Sequence, residues 1–286
     1  MEENTEVAPF THIGIVGLGL IGGSLALACK RLSYHVSGFD TNAKTVQAAR
    51  AQKIDASTRP DCLFEVDLLF VALYPNAAID FMTQNAQHFH KGCLIVDCCG
   101  VKAHIFSPLA TMAKEHDLFY IGGHPMAGSE HGGFAAATAD LFQNSNFLLT
   151  PANGQTKKRQ ALNTLLYRIG VKHIVSTTPT HHDRMIAFTS QLPHALACAY
   201  VMSSSCPDSH GYSAGSYRDV SRVAHINPPL WAELFLENKE AFLAEADELI
   251  LHMQALRDAV SSEDRDKLTS LLQMARERKD KADSHD

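Results

Sequence analysis

The feature that most constrains the fold is a glycine-rich turn inside the stretch GIVGLGLIGGSLALACKRLSYHVSGFD, which runs from Gly14 to Asp40. A short β-branched run comes before the glycines, and apolar residues at helical spacing follow them as far as Lys30 and Arg31. The run HVSGFD then predicts a second strand. This order of strand, turn, helix and strand is typical of a parallel βαβ unit.

The same alternation continues through the first half of the chain. Buried strands are predicted at DLLFVALYP and CLIVDCCG, and shorter strands at FYIGGHP, SNFLLTP and KHIVSTTP. Apolar strands separated by helices indicate a parallel, doubly wound sheet. From about His181 the sequence favours helices and lacks strand-like runs. We therefore expect an α/β protein with a Rossmann-like domain at residues 1–178 and an all-helical domain at residues 179–286.

Charge and cysteine usage exclude several functional classes. The formal net charge is −6, and no basic block is long enough to indicate nucleic-acid binding. No apolar run reaches the roughly 18 residues that a membrane span needs, and the first residues, MEENTEVAPF, are acidic where a signal peptide is basic. The seven cysteines include no CxxC pair. We expect a cytoplasmic protein with reduced thiols, no metal site, and neither a nucleic-acid nor a membrane partner.

The glycine motif predicts a dinucleotide site. Gly17, Gly19 and Gly22 satisfy GxGxxG between a predicted strand and helix, where the backbone and the helix N-terminus can hold a pyrophosphate. Asp40 follows Gly17 by 23 residues, where a carboxylate accepts hydrogen bonds from the ribose 2′-OH of NAD and repels the 2′-phosphate of NADP. The alternative is that the glycines only cap a helix and that Asp40 caps the next one.

Ligands of such sheets bind outside the carboxyl ends of the strands, which adds two later loops to the predicted site. The residues predicted to bind NAD are Gly17, Leu18, Gly19, Leu20, Ile21, Gly22, Asp40, Leu73, Tyr74, Pro75 and Gly100.

Further motifs carry a resemblance to a known family. They are VDCCGVK, HPMAGSE, QLPHA, RDVSRVAHINPPLW and FLENKE, in that order after GLGLIGGS. With them the sequence resembles the prephenate dehydrogenase family, which includes arogenate dehydrogenases. The resemblance implies that a hydride leaves the cyclohexadienol carbon of prephenate for NAD while carbon dioxide departs, giving 4-hydroxyphenylpyruvate. It also implies a helical C-terminal domain that forms a homodimer, and an active site in the cleft between the domains.

The resemblance assigns roles to three residues, and two more are candidates from their position in the loop after His124. His124 in HPMAG matches the catalytic histidine, a general base, although a histidine beside proline also occurs for structural reasons. His194 matches a histidine of the substrate pocket, against the alternative of a core histidine. Arg222 matches the arginine that binds a substrate carboxylate, against a solvated surface arginine. Ser129 and Glu130 follow His124 and are expected to approach the substrate.

One departure from the family pattern affects the mechanism. The family usually carries GSVK or GSTK, and its serine helps to orient the catalytic histidine, whereas this chain has Gly100 at that position. We expect Ser129 or a water molecule to replace the serine, or His124 to hold the substrate hydroxyl alone.

Prephenate is favoured over arogenate, because the loop offers no acid for an ammonium group beyond Glu130. Arogenate oxidation, another two-domain dehydrogenase activity and a non-catalytic NAD-binding regulator stay open as alternatives.

Overall fold

The computed structural model describes residues 10–129, 131–151 and 156–284. The chain divides into two compact units, one that ends at Asn238 and one that begins at Lys239. The first unit contains a sheet with helices on both faces, and the described part of the second consists of helices.

The described residues form one sheet of eight strands. These are β1 (His12–Val16), β2 (His35–Phe39), β3 (Asp55–Ser57), β4 (Leu68–Val71), β5 (Leu94–Asp97), β6 (Phe119–Met126), β7 (Asn146–Pro151) and β8 (His173–Ser176). Their order across the sheet is β3, β2, β1, β4, β5, β6, β7, β8, and every neighbouring pair except β6 and β7 is parallel. The predicted Rossmann-like fold class is confirmed, and the antiparallel pair is a departure from the predicted all-parallel sheet.

The antiparallel pair differs from the others in its connection. A parallel connection needs a crossover of a dozen or more residues, usually a helix. The connection from β6 to β7 covers residues 127–145, and its described part contains a short 3₁₀ turn, Phe134–Ala136, and no crossover helix. The last pair between β5 and β6 is Val96 with Ile121, whereas β7 pairs with β6 as far as Met126. The end of β6 therefore extends beyond β5 and is held by β7.

Helices cover both faces of the sheet. They are α1 (Leu20–Arg31), α2 (Ala43–Ala51), α3 (Pro75–Asn85), α4 (Ala103–Glu115) and α5 (Thr156–Arg168). One buried cluster contains Leu25 of α1 and Leu165 of α5, and the other contains Phe81 of α3 and Leu109 of α4. Because both faces are covered, β4 and β5 are buried along their whole length, as their apolar sequences predict.

The strand order places a ligand crevice at β1. This strand lies between β2 and β4, so the chain first builds the sheet on one side of β1 and then crosses to the other. In such sheets the crevice at the carboxyl ends of the strands beside this switch point binds the ligand.

Helices follow β8. They are α6 (Pro179–Ile186), α7 (Leu192–Val201), α8 (Gly215–Ser221), α9 (Pro228–Glu237), α10 (Lys239–Ser261) and α11 (Arg265–Asp283), with a π-helical turn, Ala187–Gln191, between α6 and α7. The first helix starts where the sheet was predicted to end, but the first compact unit continues to Asn238. The domain limits 1–178 and 179–286 stay a prediction. Within the described ranges, no helix combines the length and the apolar character that crossing a membrane requires.

Candidate active site

The residues predicted to bind a dinucleotide follow the carboxyl ends of four neighbouring parallel strands, β2, β1, β4 and β5. Gly17 to Gly22 follow β1, Asp40 follows β2, Leu73 to Pro75 follow β4, and Gly100 follows β5. The fold thus gathers segments that are far apart in the sequence along one edge of the sheet.

The three glycine positions of the loop differ in how much space they leave for a side chain. Gly17 has a φ of 81°, and a Cβ atom there would lie 2.5 Å from the carbonyl oxygen of Ala72. A Cβ atom on Gly22 would lie 1.8 Å from the carbonyl oxygen of Gly17. Gly19 is the N-cap of α1, and a Cβ atom there would meet no atom within 4 Å. Packing therefore requires Gly17 and Gly22, while Gly19 leaves the helix N-terminus open to a pyrophosphate.

Asp40 is tied to the glycine loop. Its Oδ2 atom accepts a hydrogen bond of 2.9 Å from the backbone N–H of Leu18, and Oδ1 accepts one of 2.8 Å from Asn42. Asn42, not Asp40, is the N-cap of α2, so the alternative that Asp40 caps this helix is wrong. A carboxylate oxygen accepts more than one hydrogen bond, and Asp40 is only partly buried. This geometry fits a ribose hydroxyl pair.

The loop after β4 forms the other side of the predicted cofactor site. The Leu73 side chain lies against Gly17, 2.8 Å from where a Cβ atom would be. Tyr74 is 42% exposed, and its hydroxyl accepts a hydrogen bond of 3.1 Å from Asn227. Pro75 is the buried first residue of α3. Contact of these residues with the cofactor stays a prediction.

His124 lies near the end of β6 and is half-buried. Its Nδ1 atom is 2.9 Å from Nε2 of His182, and Nδ1 of His182 is 2.6 Å from Oδ1 of Asp183. His182 and Asp183 are 1% and 4% exposed. The predicted base therefore has two buried polar residues of α6 behind it.

Burial sets the charge of these rings. It lowers the pKa of His124 well below the ordinary value, and the neighbouring His182 and Lys102 lower it further. Burial also lowers the pKa of His182, against the opposing effect of Asp183. Both imidazoles are therefore neutral at pH 7, and a neutral imidazole can accept a proton.

A buried ion pair lies next to this histidine pair. Nζ of Lys102 donates to Oδ1 of Asp97 at 2.7 Å, and to the carbonyl oxygens of Cys99 and Val101 at 2.7 and 3.1 Å. Both side chains of the pair are 0% exposed. The Tyr120 hydroxyl donates to Oδ2 of Asp97 at 2.8 Å, and burial followed by the Asp97 charge raises the pKa of Tyr120 well above its usual value. All three ammonium protons are thus bonded, which fixes the loop after β5.

Asp183 joins the helical segment to this loop. Its carboxylate accepts hydrogen bonds of 2.7 Å from the backbone N–H groups of Lys102 and Ala103, at the start of α4. Its backbone carbonyl accepts a hydrogen bond of 2.9 Å from the side chain of Asn238. These bonds explain why the first compact unit includes residues well beyond the last strand.

Gly100 faces the other nitrogen of the catalytic ring. A Cβ atom on Gly100 would lie 3.9 Å from Nε2 of His124 and 3.3 Å from a methyl carbon of Leu234. Position 100 and His182 are therefore on different nitrogens of the same imidazole.

His194 lies in the first turn of α7. Its Nδ1 donates a hydrogen bond of 2.7 Å to the carbonyl oxygen of Ser190, and its ring stacks on Trp231 with centroids 3.9 Å apart. Burial lowers the pKa of His194, and the Arg222 charge adds to the shift. The structure thus brings two of the predicted substrate residues, His194 and Arg222, into one neighbourhood.

Ser129, in the loop after His124, was expected to replace the family serine that is absent at position 100. Ser129 is exposed, and its Oγ accepts a hydrogen bond of 3.2 Å from the backbone N–H of His131. Among the described residues, His182 is a side chain that hydrogen-bonds to His124. Glu130 lies outside the described residues.

Comparison with known proteins places the chain in a family. Two family models match, "Prephenate dehydrogenase, nucleotide-binding domain" at residues 25–175 and "Prephenate dehydrogenase, dimerization domain" at residues 178–274. The chain belongs to the prephenate dehydrogenase family.

Two curated relatives support this membership. A cyclohexadienyl dehydrogenase of Zymomonas mobilis is 34% identical over 91% of this chain and 92% of its own length. A prephenate dehydrogenase of Bacillus subtilis is 30% identical over 93% of this chain and 74% of its own length.

Solved structures share the fold. The arogenate dehydrogenase of Synechocystis has a TM-score of 0.80 with 27% identity, and covers 95% of this chain and 99% of its own. The prephenate dehydrogenase of A. aeolicus, in a complex with hydroxyphenyl propionate and NAD+, has a TM-score of 0.83 with 22% identity, over 95% of this chain and 98% of its own.

These findings confirm the predicted family, the nucleotide-binding domain and the oxidoreductase class. The predicted site residues did not include His182, Asp183 or Asp97, although Asp97 lies within the motif VDCCGVK. Two signals were present. One is the HHD run shortly before QLPHA, and the other is Asp97 itself, the acid that directly follows the apolar run LIV. Neither signal shows which residue it contacts, because the partners are far away in the sequence.

Proposed function

We propose that this chain catalyses the NAD-dependent oxidative decarboxylation of prephenate to 4-hydroxyphenylpyruvate, a step of tyrosine biosynthesis. The observation that carries the proposal is the neutral, partly exposed His124, whose Nε2 faces Gly100 at the same sheet edge as the glycine loop. The names of the matched family and of the Bacillus subtilis relative support the substrate.

The residues on the page can perform the proton chemistry of this reaction. His124 takes the proton of the ring hydroxyl on Nε2 while a hydride leaves the carbon that bears this hydroxyl. NAD, when bound, supplies the acceptor for that hydride. Carbon dioxide leaves the opposite ring carbon, and its bonding electrons complete the aromatic ring. The proton then returns from His124 to the phenolic oxygen, so the imidazole is regenerated in its neutral form.

NAD as the cofactor is supported by the open N-terminus at Gly19 and by Asp40 beside the glycine loop. The A. aeolicus prephenate dehydrogenase structure, which shares this fold, contains NAD+. Backbone N–H groups at the start of α1 would hold the pyrophosphate, and Asp40 would accept from the ribose hydroxyls.

Asp40→Asn is expected to change the cofactor preference. The substitution keeps the shape of the side chain but removes the charge that repels a 2′-phosphate. We expect the preference for NAD over NADP, measured as the ratio of kcat/KM values, to fall by about 10- to 100-fold, the effect of one hydrogen bond to a charged group. Asp80→Asn, on the exposed face of α3, is the matched control. Equal use of both cofactors by the wild type would contradict the role of Asp40.

Arg222, His194 and Ser129 are proposed to bind the substrate. Prephenate carries two carboxylates, and a guanidinium holds a carboxylate through two parallel hydrogen bonds. Arg222 and His194 are close enough for the Arg222 charge to lower the pKa of His194. Since Nδ1 of neutral His194 donates to Ser190, its Nε2 presents an acceptor to the substrate.

Arg222→Ala is expected to raise the KM for prephenate by about 10- to 100-fold, because a charge-assisted hydrogen bond contributes about 1.5–3 kcal/mol. The dissociation constant of NAD, measured by calorimetry, should not change. Arg218→Ala removes an exposed arginine one helical turn earlier and serves as the control. If Arg218→Ala raised the KM and Arg222→Ala did not, the assignment would be wrong.

Arogenate is the second candidate substrate, and the Synechocystis arogenate dehydrogenase shares the fold. Arogenate carries an ammonium group where prephenate carries a ketone. The deciding experiment follows NADH absorbance with prephenate and arogenate side by side at fixed NAD. A higher kcat/KM for prephenate supports the proposal, and a higher value for arogenate reverses the substrate assignment. If neither prephenate nor arogenate gave NADH, a non-catalytic regulator or a different dehydrogenase would be favoured.

We also propose a homodimer in the cytoplasm. The second family model is a dimerisation domain, and α10 and α11 expose apolar side chains such as Leu251 (62%), Val260 (61%) and Leu272 (55%). All seven cysteines are unpaired, as expected in a reducing compartment. Light scattering at micromolar concentration tests the dimer, and a monomeric mass would contradict it.

A further inference from the structure

We propose that His182 and Asp183 are positioning residues that hold His124 in the tautomer whose Nε2 can accept a proton. The inference rests on the proposed function for the source of that proton. The hydrogen-bond chain from Asp183 to His124 belongs to the protein itself and can be tested without any substrate.

The first step concerns Asp183. Its two carboxylate oxygens accept hydrogen bonds of 2.7 Å from the backbone N–H groups of Lys102 and Ala103, and backbone N–H groups can only donate. Oδ1 is also 2.6 Å from Nδ1 of His182. An ionised carboxylate can only accept, so Nδ1 of His182 carries the proton of this bond.

The second step concerns His182. This ring is 1% exposed, and burial lowers its pKa, so it is neutral and carries one N–H. Because that N–H is on Nδ1, Nε2 of His182 is an acceptor. Nε2 lies 2.9 Å from Nδ1 of His124, which must therefore be the donor. The proton on Nδ1 of His182 thus determines that His124 carries its own proton on Nδ1.

The third step concerns His124. With its proton on Nδ1, the neutral ring has its lone pair on Nε2, the nitrogen that faces Gly100. A neutral histidine without a partner on Nδ1 populates both tautomers, and the one with a proton on Nε2 cannot act as base there. His182 removes the inactive tautomer and fixes the orientation of the ring.

This arrangement is separate from the departure at Gly100. A side chain at position 100 would act on the Nε2 side of the ring, whereas His182 acts on the Nδ1 side. In this chain His124 is oriented from the Nδ1 side. Its Nδ1–H donates to His182 both before and after Nε2 accepts a proton. Once His124 is protonated, its Nδ1–H bond to His182 becomes charge-assisted, and the Asp183 carboxylate partly offsets the new charge.

The tautomer can be observed directly by NMR of protein labelled with ¹⁵N-histidine, with the His124 signals assigned by their loss in His124→Gln. We expect wild-type His124 at neutral pH to show a protonated Nδ1 and an unprotonated Nε2. A wild-type His124 with its proton on Nε2 would overturn the proposal.

Variants at position 182 test the consequence for the reaction. His182→Leu removes the acceptor, and we expect kcat to fall by roughly 10- to 100-fold, part of the contribution of about 10²- to 10⁴-fold that a positioned base makes. The KM for prephenate should not change, because His182 does not reach the substrate. His182→Gln offers an amide oxygen to Nδ1 of His124, so its kcat should lie between those of the wild type and His182→Leu. His181→Leu changes the exposed neighbouring histidine and should match the wild type.

The outcomes separate the two proposals. If His182→Leu turns over as fast as the wild type, His182 does not position the base. If His182→Leu fails to fold, the tautomer of the wild type and the kcat of His182→Gln decide. If the wild type forms no NADH from prephenate but shows the expected tautomer, the proposed function fails and the positioning role stands.

Discussion

Replacing His124 with alanine is expected to lower kcat for prephenate oxidation by about 10²- to 10⁴-fold, the usual contribution of a positioned general base. The physical reason is that the imidazole is neutral and that its Nε2 faces Gly100, at the sheet edge where the glycine loop lies. The dissociation constant of NAD should not change, because the glycine loop and Asp40, which are proposed to hold NAD, follow β1 and β2, whereas His124 lies on β6. Steady-state kinetics and calorimetric titration measure these two quantities.

Two further substitutions sharpen this test. His124→Asn keeps a donor near the position of Nδ1, so it can still bond to His182, but it lacks the base and should lose as much turnover as alanine. His173→Ala removes an exposed histidine of β8 and should leave kcat unchanged. If either His124 variant turned over at a near-normal rate, His124 would not be the general base.

Lys102→Met is expected to lower the free energy of unfolding by about 3–5 kcal/mol, because removing one partner of a buried ion pair leaves the other charge uncompensated. Asp97 would keep its bonds to Tyr120 and to the backbone, but it would lose the ammonium group 2.7 Å away in a site without solvent exposure. Urea denaturation followed by circular dichroism, at one fixed protein concentration, measures the difference.

A second ion pair of the same chain provides the control. Lys91 and Asp117 are also 2.7 Å apart, but their side chains are 82% and 64% exposed. Lys91→Met should therefore leave the unfolding midpoint close to that of the wild type. If the two lysine variants unfolded at the same urea concentration, burial of the Asp97–Lys102 pair would not matter for stability.

The placement of Asp40 beside the glycine loop could be predicted because its signals are local. The glycine loop and Asp40 lie within one βαβ unit, and their spacing follows from the lengths of one strand and one helix. The buried strands at β4 and β5 were equally visible, since strands covered on both faces carry continuous apolar runs.

The positioning of His124 could not be predicted, because it depends on contacts between distant segments. His182 follows His124 by 58 positions, and Lys102 meets Asp183 across 81 positions. Nothing in a single sequence shows which of its 16 histidines will meet in the fold. The antiparallel pairing of β6 and β7 was missed for a similar reason, since strand patterns alone do not give direction.

That pairing has a consequence for how this protein can be altered. His124 stands opposite Leu148, inside the paired part of β6 and β7 and not in the loop that connects them. The paired strands, together with His182, hold His124 at a position outside the connecting segment. Substitutions at exposed positions of this segment, such as Ser129, can therefore change substrate selectivity while His124 keeps its alignment, whereas the fully buried Phe142 belongs to the core.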